Sequence, residues 1–436
     1  MEVMKDVKVW KYKKHQDSGV EWLGIVPEHW ELTRLGTRFE QRKTKVSDKD
    51  FPPLSVTKNG TIPQLASAAK SNDGDNRKLV RKGDFVINSR SDRKGSSGIA
   101  YQDGSVSLIY IVLEPENIHP IFCNYLLKSY NFIEEFYRMG HGIVADLWTT
   151  RYHEMKSIMV SIPPLKEQTA IAEFLDRKTA LIDQAIGIKE KQIELLKERR
   201  QIVIHRAVTR GLDPEVKMKD SGVEWIGEVP EGWEVSRLKY FVNIKGGFAF
   251  NSSHFKDEGV QIIKIANTYM NDLSLDRQPT FVDSSFLKSH KDWVVSKGDI
   301  LMSLTGTLGK KDYGFAILIN TDDKYLLNQR VAKITMKKDI AANYILNILQ
   351  SEMYLNQLYQ LPSGTKQANL SNDNVINIKI AYPPNLEERI SILNFVQKMK
   401  YKITKSLTLK EQEIEKLKEY KSTLINSAVT GKIKVC

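Results

Sequence analysis

The chain has 436 residues, 41% of them hydrophobic and 27% charged, as in ordinary soluble proteins with more than one domain. Its formal net charge of +12 at pH 7 favours a polyanionic partner, and its two cysteines, Cys123 and Cys436, exclude a disulfide framework and a four-cysteine zinc site. Because the N-terminus lacks the apolar core of a signal peptide and no apolar stretch could span a bilayer, we expect a cytoplasmic protein that contacts no membrane.

The first element of the chain is a block of 15 residues that occurs twice. Residues 17–31 read DSGVEWLGIVPEHWE, and residues 220–234 repeat them as DSGVEWIGEVPEGWE. Such a repeat indicates a duplicated unit with pseudo-two-fold symmetry, and symmetric proteins often bind double-stranded DNA. Four tryptophans of the two blocks are expected to anchor the core: Trp22, Trp30, Trp225 and Trp233.

Each block leads into a longer stretch, 32–161 or 235–381, whose sequence differs between the copies. Certain landmarks persist in both. A Lys-Gly-Asp turn at Gly83 and at Gly298 predicts the start of a short apolar strand. We therefore predict that each stretch is an α+β domain with short mixed strands and one or two helices.

The end of each stretch has a second set of landmarks. A helical segment is predicted at 121–139 and at 341–361, and a glycine-containing loop follows each of them. The last strand is expected at 158–162 in the first copy and at 376–380 in the second. The framework therefore repeats while the inserted sequences differ, which suits the recognition of two different targets.

Basic side chains are concentrated between Arg77 and Lys94, and residues 89–98 are predicted to form a flexible basic loop after a strand. Arginine can recognise guanine edges, whereas lysine and serine mostly contact phosphates. A solvated surface loop is the alternative interpretation. With the matching loop and the amide groups of the second stretch, the candidate DNA contacts are Lys58, Arg77, Lys78, Arg90, Arg93, Lys94, Thr307, Lys310, Lys311, Gln329, Arg330, Thr365, Lys366 and Gln367.

A proline pair after each stretch precedes a long amphipathic helix that should end at Gly211 or Gly431. Apolar residues recur with the same heptad spacing in both copies, and good helix formers lie between them. We predict that the two helices pair as an antiparallel coiled coil, with a spacer length of about 48 Å at ~1.5 Å per residue. The predicted pairing residues are Leu175, Ile182, Ile186, Ile193, Leu196, Val203, Val396, Ile403, Leu407, Ile414, Leu417 and Leu424.

The order of these elements resembles the specificity subunit of bacterial type I restriction–modification enzymes. The resemblance rests on IPPLKEQTAIAEFLD at 162–176, on KGDILMSLTGTLG at 297–309 and on the repeated block, and it covers nearly the whole chain. The second copy departs from the pattern, since Asn385 is inserted and Arg389 stands where the first copy has Gln168. This departure affects the expected start of the second helix.

The resemblance implies two target recognition domains, each of which reads one half of a bipartite, asymmetric DNA site. It also implies that the paired helices set the gap between the halves and dock two methyltransferase subunits, which methylate adenine in DNA. Restriction subunits would join them in the full restriction system. The subunit itself would have no catalytic centre and no cofactor, because S-adenosylmethionine, ATP and Mg²⁺ are expected in the partner subunits.

The expected fold is α+β, with two recognition domains separated by two long paired helices in a pseudo-two-fold arrangement. The first domain is expected at 1–161 and the first spacer helix at 162–212. The second domain is expected at 213–381 and the second spacer helix at 382–436. The segment 8–16 is expected to pack near 428–435, which would close a pseudo-circle.

Catalytic signatures are absent from the sequence. There is no phosphate-binding Gly-x-x-x-x-Gly-Lys-Ser/Thr loop, and the histidines are scattered without metal-binding spacing. Ile162 precedes Pro163-Pro164, so this is not the motif that holds a flipped adenine. Two other functions stay open, namely a DNA-binding regulator and a protein-interaction scaffold. A steep salt dependence of DNA binding would separate a DNA-binding protein from a scaffold.

Overall fold

The computed structural model describes residues 11–67, 74–142, 148–337, 340–361 and 366–435. The chain divides into two compact units: unit 1 comprises Met1–Glu190 with Lys410–Cys436, and unit 2 comprises Lys191–Leu409. Each of two long helices therefore contributes one half to each unit. Among the described residues, no helix is both long and apolar enough to cross a membrane.

Unit 1 is built around a four-stranded antiparallel sheet. Its strands are β1 (His15–Asp17), β2 (Ile25–Pro27), β3 (Glu31–Arg34), β4 (Phe39–Gln41), β5 (Lys45–Val46), β6 (Leu54–Thr57), β7 (Gly60–Pro63), β8 (Arg77–Val80), β9 (Phe85–Asn88), β10 (Ser97–Ile99), β11 (Gly104–Val106), β12 (Tyr110–Pro115) and β13 (Met159–Ile162). The central sheet has the order β10-β9-β12-β4, and the others form β11-β8-β5, β1-β2, β6-β7 and β13-β3. All four residues of β9 are buried, so this strand lies in the core.

The described helices of the first recognition region are short. They are α1 (Pro120–Lys128), α2 (Tyr130–Arg138) and α3 (Tyr152–Met155), with 3-10 turns at Leu35–Thr37 and Ser91–Arg93. The prediction of one helical segment at 121–139 is wrong in detail, because two helices meet at Ser129. Ser129 has extended backbone angles, and its hydroxyl accepts a hydrogen bond from the backbone N–H of Phe132, which caps α2.

Unit 2 contains two four-stranded sheets and three strand pairs. Its strands are β14 (Met218–Asp220), β15 (Glu228–Pro230), β16 (Glu234–Arg237), β17 (Val242–Gly246), β18 (Val260–Ile263), β19 (Phe281–Val282), β20 (Val294–Val295), β21 (Ile300–Ser303), β22 (Thr305–Thr307), β23 (Ala316–Leu318), β24 (Tyr325–Leu327), β25 (Val331–Met336), β26 (Gln367–Asn369) and β27 (Lys379–Tyr382). The sheet orders are β17-β25-β21-β23 and β19-β18-β24-β20, with pairs β14-β15, β16-β27 and β22-β26. Only β18 and β24 pair in parallel among these described strands.

The second recognition region has the described helices α5 (Phe286–Ser289), α6 (Ala342–Leu349), α7 (Glu352–Leu358) and α8 (Asn372–Asn377). The segment predicted at 341–361 is again two helices, here separated at Ser351. The strand predicted at 376–380 is wrong at its start. Ser371 caps α8 through a hydrogen bond from the backbone N–H of Asn374, so the chain is helical through Asn377 and β27 begins at Lys379.

The two units share a framework, as the repeats predict. The order β4-β12-β9-β10 in unit 1 matches β17-β25-β21-β23 in unit 2, and the pairs β1-β2 and β3-β13 match β14-β15 and β16-β27. Gly83 and Gly298 have φ of +98° and +91° in the two Lys-Gly-Asp turns, a backbone conformation that favours glycine. The parallel β18-β24 pair has no counterpart among the described strands of unit 1, so the inserts differ.

The long helices are α4 (Leu165–Arg210) and α9 (Leu386–Val429). Each begins after the predicted proline pair, where a missing backbone N–H costs nothing. Gly211 and Gly431 follow the helix ends with φ of +73° each, which confirms the predicted glycine caps. The insertion of Asn385 does not disturb the start of α9, because its side chain accepts a hydrogen bond from the backbone N–H of Glu387 at 2.7 Å.

The predicted antiparallel pairing of the helices is confirmed. In unit 1, Lys421 of α9 binds Asp183 of α4 at 2.7 Å and Glu413 of α9 binds Lys189 of α4 at 2.7 Å, so α9 runs backwards along α4. The predicted pairing positions face inward. Leu175, Ile182, Val396, Ile403, Leu407, Ile414 and Leu424 are buried, and Ile186, Ile193, Leu196, Val203 and Leu417 are half-buried.

The tryptophans of the repeated block differ in burial. Trp30 and Trp233 are each 2% exposed, and their indole N–H groups donate to Glu167 and Glu388 at the starts of the long helices. Trp22 is half-buried against Phe132. The prediction is wrong for Trp225, which is 43% exposed because it faces polar side chains of α7 and α8 rather than an apolar core.

The N-terminal segment packs onto the end of α9 within unit 1. Tyr12 belongs to the same hydrophobic core as Ala428 and Val429, and its hydroxyl donates to Glu167 at 3.0 Å. A Cβ on Gly431 would lie 2.3 Å from Pro27 Cδ. The predicted contact between 8–16 and 428–435 is therefore present for the residues that the structure describes. Residues 8–10 lie outside them.

Candidate nucleic-acid interface

The largest concentration of predicted DNA-contacting residues in unit 2 lines a cleft of about 850 Å³. The strand pair β22-β26 forms one side of the cleft, and the 3-10 segment Ile265–Asn271 forms another. The residues that line this unit 2 cleft are Ile265, Ala266, Tyr269, Arg277, Gln278, Ser303, Thr305, Gly306, Thr307, Asp312, Phe315, Arg330, Lys366 and Gln367.

The lining combines positive charge with hydrogen-bonding groups. Arg277, Arg330 and Lys366 are exposed cations, and no salt bridge is recorded for any of them within the described part of the chain. Gln278 and Gln367 supply amides that can pair with an adenine edge, and arginine can pair with guanine. These groups suit the edges and phosphates of DNA better than an apolar ligand.

Two aromatic rings stiffen one wall of the cleft. Tyr269 and Phe315 contact each other edge to face, with ring centroids 5.3 Å apart. The guanidinium carbon of Arg277 lies 5.5 Å from the centroid of the Tyr269 ring, a cation–π contact. Arg277 is therefore oriented by packing, while its five N–H donors remain available to a ligand.

Asp312 introduces a fixed negative charge into the cleft. Its carboxylate accepts a hydrogen bond from the backbone N–H of Thr307 at 2.6 Å, which holds the turn that follows β22. Burial would raise the pKa of Asp312, but hydrogen bonds from Thr307 outweigh it and hold the pKa below its ordinary value. The carboxylate thus stays ionised at neutral pH and partly offsets the three cations.

Backbone strain is concentrated near this cleft. Five non-glycine residues in the described chain have positive φ, and four of them lie in segments that form or flank it: Met270, Asn271, Gln278 and Lys311. Asn271 is held by the backbone N–H of Ala316, which donates to its side chain at 2.8 Å. Strained backbone tends to cluster at binding sites, because surrounding structure must hold it in place.

The cleft contains some of the predicted contacts and excludes others. Thr307, Arg330, Lys366 and Gln367 line it. Gln329, Lys310 and Lys311 are exposed near it without lining it, and Lys311 lies over the ring of Tyr359 at 5.5 Å. Thr365 lies outside the described residues.

Among the lining residues that sequence reasoning missed, Tyr269, Arg277, Gln278 and Phe315 supply the aromatic, basic and amide groups. The segment 265–278 has an aromatic residue close to a basic residue and amides, and this signal could have indicated Tyr269, Arg277 and Gln278. This segment has no helical or strand period, so its position in the fold could not be inferred.

In unit 1 the corresponding edge carries Arg90. Arg90 forms an isolated antiparallel bridge with Thr149, at the position where unit 2 has the β22-β26 pair. Its side chain is exposed. The structure therefore brings Arg90 next to Trp148 and Thr149, which the sequence did not single out.

The prediction of a loop throughout 89–98 is wrong, because this segment contains a 3-10 turn and the start of β10 at Ser97. Ser91–Arg93 is a 3-10 turn, and the backbone N–H of Ser91 donates to the carbonyl of Trp148 at 3.1 Å. Lys94 binds Glu134 at 2.6 Å, whereas Arg93 is mostly exposed beside Asp92. Lys58 is exposed at the turn between β6 and β7.

Arg77 and Lys78 have structural roles instead of the predicted DNA contacts. Arg77 is only 5% exposed and donates to the hydroxyl and carbonyl oxygens of Ser105 at 2.8 and 3.1 Å. Lys78 donates to the carbonyl of Tyr110 at 2.6 Å, and burial lowers the pKa of both side chains. Both side chains of β8 are therefore bound within unit 1, and we no longer count them as candidate DNA contacts.

Replacing Arg77 with methionine is expected to lower the free energy of unfolding by about 1–3 kcal/mol, because Ser105 loses two buried hydrogen bonds. Arg90→Ala is the matched control, since its exposed side chain should change stability by less than about 0.5 kcal/mol. Thermal unfolding measures the stability of both variants. The DNA affinity of the folded variants shows whether either side chain contacts DNA. Equal stability of the two variants would contradict this assignment.

Comparison with known proteins supplies the family. A family model described as the type I restriction modification DNA specificity domain matches residues 27–198 and again residues 230–419. The chain belongs to this family. Its two matches correspond to the two repeated recognition regions, so this specificity subunit carries two recognition domains and serves in DNA recognition rather than in catalysis.

Three known proteins illustrate the similarity. The specificity subunit of the type I restriction enzyme MjaVIII of Methanocaldococcus jannaschii is 28% identical over 421 residues, with 94% of each chain covered. A chain from a structural study of complex assembly and conformational transition of the type I R-M system superposes with a TM-score of 0.67 at 16% identity, covering 93% of this chain and 98% of that one. The HsdS subunit from Thermoanaerobacter tengcongensis gives a TM-score of 0.52 with the same identity and coverage. The two solved structures support the fold.

Proposed function

We propose that each recognition domain of this specificity subunit reads one half of a bipartite, asymmetric double-stranded DNA site. The observation that carries the proposal is one repeated framework that holds two different inserts. In unit 2 the insert forms a cleft with three exposed cations, two amides and a stiffened aromatic wall. In unit 1 the equivalent edge carries Arg90 and Arg93. Because the two surfaces differ in chemistry, they should read different base sequences.

The paired helices are proposed to set the gap between the two half-sites. They contain 46 and 44 residues, and each at ~1.5 Å per residue exceeds one turn of DNA, about 34 Å. A helix pair held by buried heptad positions and by ion pairs such as Asp183–Lys421 is a stiff spacer. A stiff spacer would give one fixed gap and not a range of gaps.

The same helices are proposed to dock two methyltransferase subunits, with restriction subunits in the full complex. Exposed apolar side chains on α4, including Ile188 and Leu195, support a further protein contact. S-adenosylmethionine, ATP and Mg²⁺ would then act in the partner subunits. In the part of the chain that the structure describes, no group of three potential metal ligands occurs.

The test is single-molecule sequencing of DNA from cells that express this chain with its neighbouring methyltransferase, compared with cells that lack only this chain. We expect a new N6-methyladenine motif that has two different halves and a fixed gap. Exchanging one recognition domain, with the helix pair left unchanged, should change only one half of the motif and keep the gap.

Salt dependence of DNA binding provides a second readout. Contacts to phosphates release counterions, so affinity should fall steeply as salt rises. A soluble complex that yields no new motif but binds DNA would instead favour a DNA-binding regulator. A complex without DNA affinity at low salt would contradict the proposal.

A further inference from the structure

A second cavity in unit 2 lies where the helix pair meets the recognition domain, and it shares no lining residue with the unit 2 cleft. It has a volume of about 690 Å³, which is in the range of small-molecule sites. Arg200, Gln201 and Ile204 of α4 and Lys400 and Thr404 of α9 line the cavity. Residues from the segments 270–273, 317–321 and 343–350 complete the lining. We refer to it as the helix-pair cavity.

Two cations of the helix pair line this cavity. Lys400 is half-buried, and its ammonium group donates to the neutral side-chain oxygen of Asn347 at 2.7 Å. No salt bridge is recorded for Lys400 or for half-buried Arg200 among the described residues. The one acidic residue in the lining, Asp272, is exposed, and its carboxylate accepts from the Ser274 hydroxyl at 3.3 Å. The cavity therefore has more positive than negative charge.

The internal repeat supplies a comparison for this site. With Leu175 aligned to Val396, as the heptads require, Asp183 corresponds to Thr404 and Lys421 corresponds to Arg200. In unit 1, Lys421 donates to both carboxylate oxygens of Asp183 at 2.7 Å. In unit 2 the cation is kept as Arg200, but the acid that would neutralise it has become Thr404.

The same alignment shows that unit 2 has also gained a charge. Lys400 corresponds to Thr179, whose hydroxyl is hydrogen bonded to the Tyr125 hydroxyl in unit 1. Burial, together with the nearby charge of Arg200, lowers the pKa of Lys400 to about 8. The two positive charges of Arg200 and Lys400 are unfavourable in a half-buried site unless a bound anion neutralises them.

We propose that the helix-pair cavity binds a small anion that carries a phosphate or carboxylate group, held between the Arg200 guanidinium and the Lys400 ammonium. Asn343, Gln350 and Thr404 supply further polar groups on the lining. The bound anion takes the place that Asp183 has in unit 1. This site does not depend on the proposed DNA recognition, because none of its residues lines the unit 2 cleft.

The test uses the intact chain and the reactivity of Lys400 toward acetic anhydride at pH 7, measured residue by residue by mass spectrometry. Inorganic phosphate and acetate are the two probes, each compared with chloride at the same ionic strength. A bound anion stabilises the ammonium, and a pKa raised by one pH unit lowers the neutral, reactive fraction about tenfold. We expect phosphate or acetate to slow acetylation of Lys400 about tenfold and to leave Lys421 unchanged.

Thr404→Asp restores the acid of unit 1 at an exposed helical position. In this variant Lys400 should react slowly without added anion, and neither phosphate nor acetate should protect it further. Thr404→Asn is the matched neutral control and should keep the protection. The proposal is overturned if neither anion changes acetylation of Lys400 in the folded protein, or if Lys421 is protected to the same extent.

Discussion

Replacing Arg330 with alanine is expected to weaken recognition of one half of the DNA site and to leave the other half unchanged. Arg330 is exposed in the unit 2 cleft beside Thr305 and Lys366. If its guanidinium reads a base, the loss should cost about 1–3 kcal/mol and relax one position of the methylation motif. If it contacts a phosphate, affinity should fall for all sequences and the salt slope should fall by about one. Both outcomes are measured by methylation sequencing together with DNA titrations at several salt concentrations.

The matched control for this variant is Lys297→Ala. It removes the same charge from unit 2, but Lys297 is an exposed residue of the Lys-Gly-Asp turn that binds Asp322 at 3.1 Å and does not line the cleft. Its exposed ion pair contributes little to stability. DNA affinity and the motif should therefore stay as in the original chain. Equal effects of Arg330→Ala and Lys297→Ala would mean that only net charge matters, which would contradict the assignment of the cleft.

Gly247→Ala is expected to prevent stable folding of unit 2. A Cβ on Gly247 would lie 1.9 Å from the carbonyl oxygen of Asn328 and 2.7 Å from that of Leu327, and these backbone atoms cannot move without disrupting the sheet. The backbone N–H of Gly247 also donates to the carbonyl of Val331 at 2.9 Å, at the start of β25. The expected loss is about 4 kcal/mol or more in the free energy of unfolding, among the largest effects of a single substitution. Calorimetric unfolding of the whole chain measures it.

Gly187→Ala is the control with the opposite sign. Gly187 is an exposed residue within α4, and a Cβ there would meet nothing within 4 Å. Alanine in a helix interior is more favourable than glycine by about 0.5–1 kcal/mol, so this variant should be more stable than the original chain. A Gly247→Ala variant that unfolds at the same temperature as the original chain would refute the close backbone approach.

The sequence predicted the parts of the fold that depend on local spacing. The heptads, the proline pairs and the capping glycines determine two long helices, because each of these signals acts within a few residues of chain. The Lys-Gly-Asp turns predicted β9 and β21 for the same reason. Ser129 and Ser351 were missed as breaks, since each takes an extended backbone conformation that the helical pattern around it does not reveal.

The candidate site was predicted less completely, because it depends on which residues the topology brings together. Arg77 and Arg90 have the same chemistry and lie close in sequence. One is buried in β8 with Ser105 and the other is exposed at a sheet edge. Likewise Trp22 contacts Phe132, whereas its repeat Trp225 lies near polar side chains of α7 and α8 and stays exposed.

By itself, then, the sequence determined the duplication, the paired helices and the family, since all three are encoded in spacing and repetition along the chain. Only the tertiary structure decided that Tyr269, Arg277, Arg330 and Lys366 share one cleft, and that Arg200 and Lys400 face one cavity without the acid present in the other copy. Residues so far apart meet through sheet pairing and helix packing. These long-range contacts depend on the whole chain and leave no local pattern.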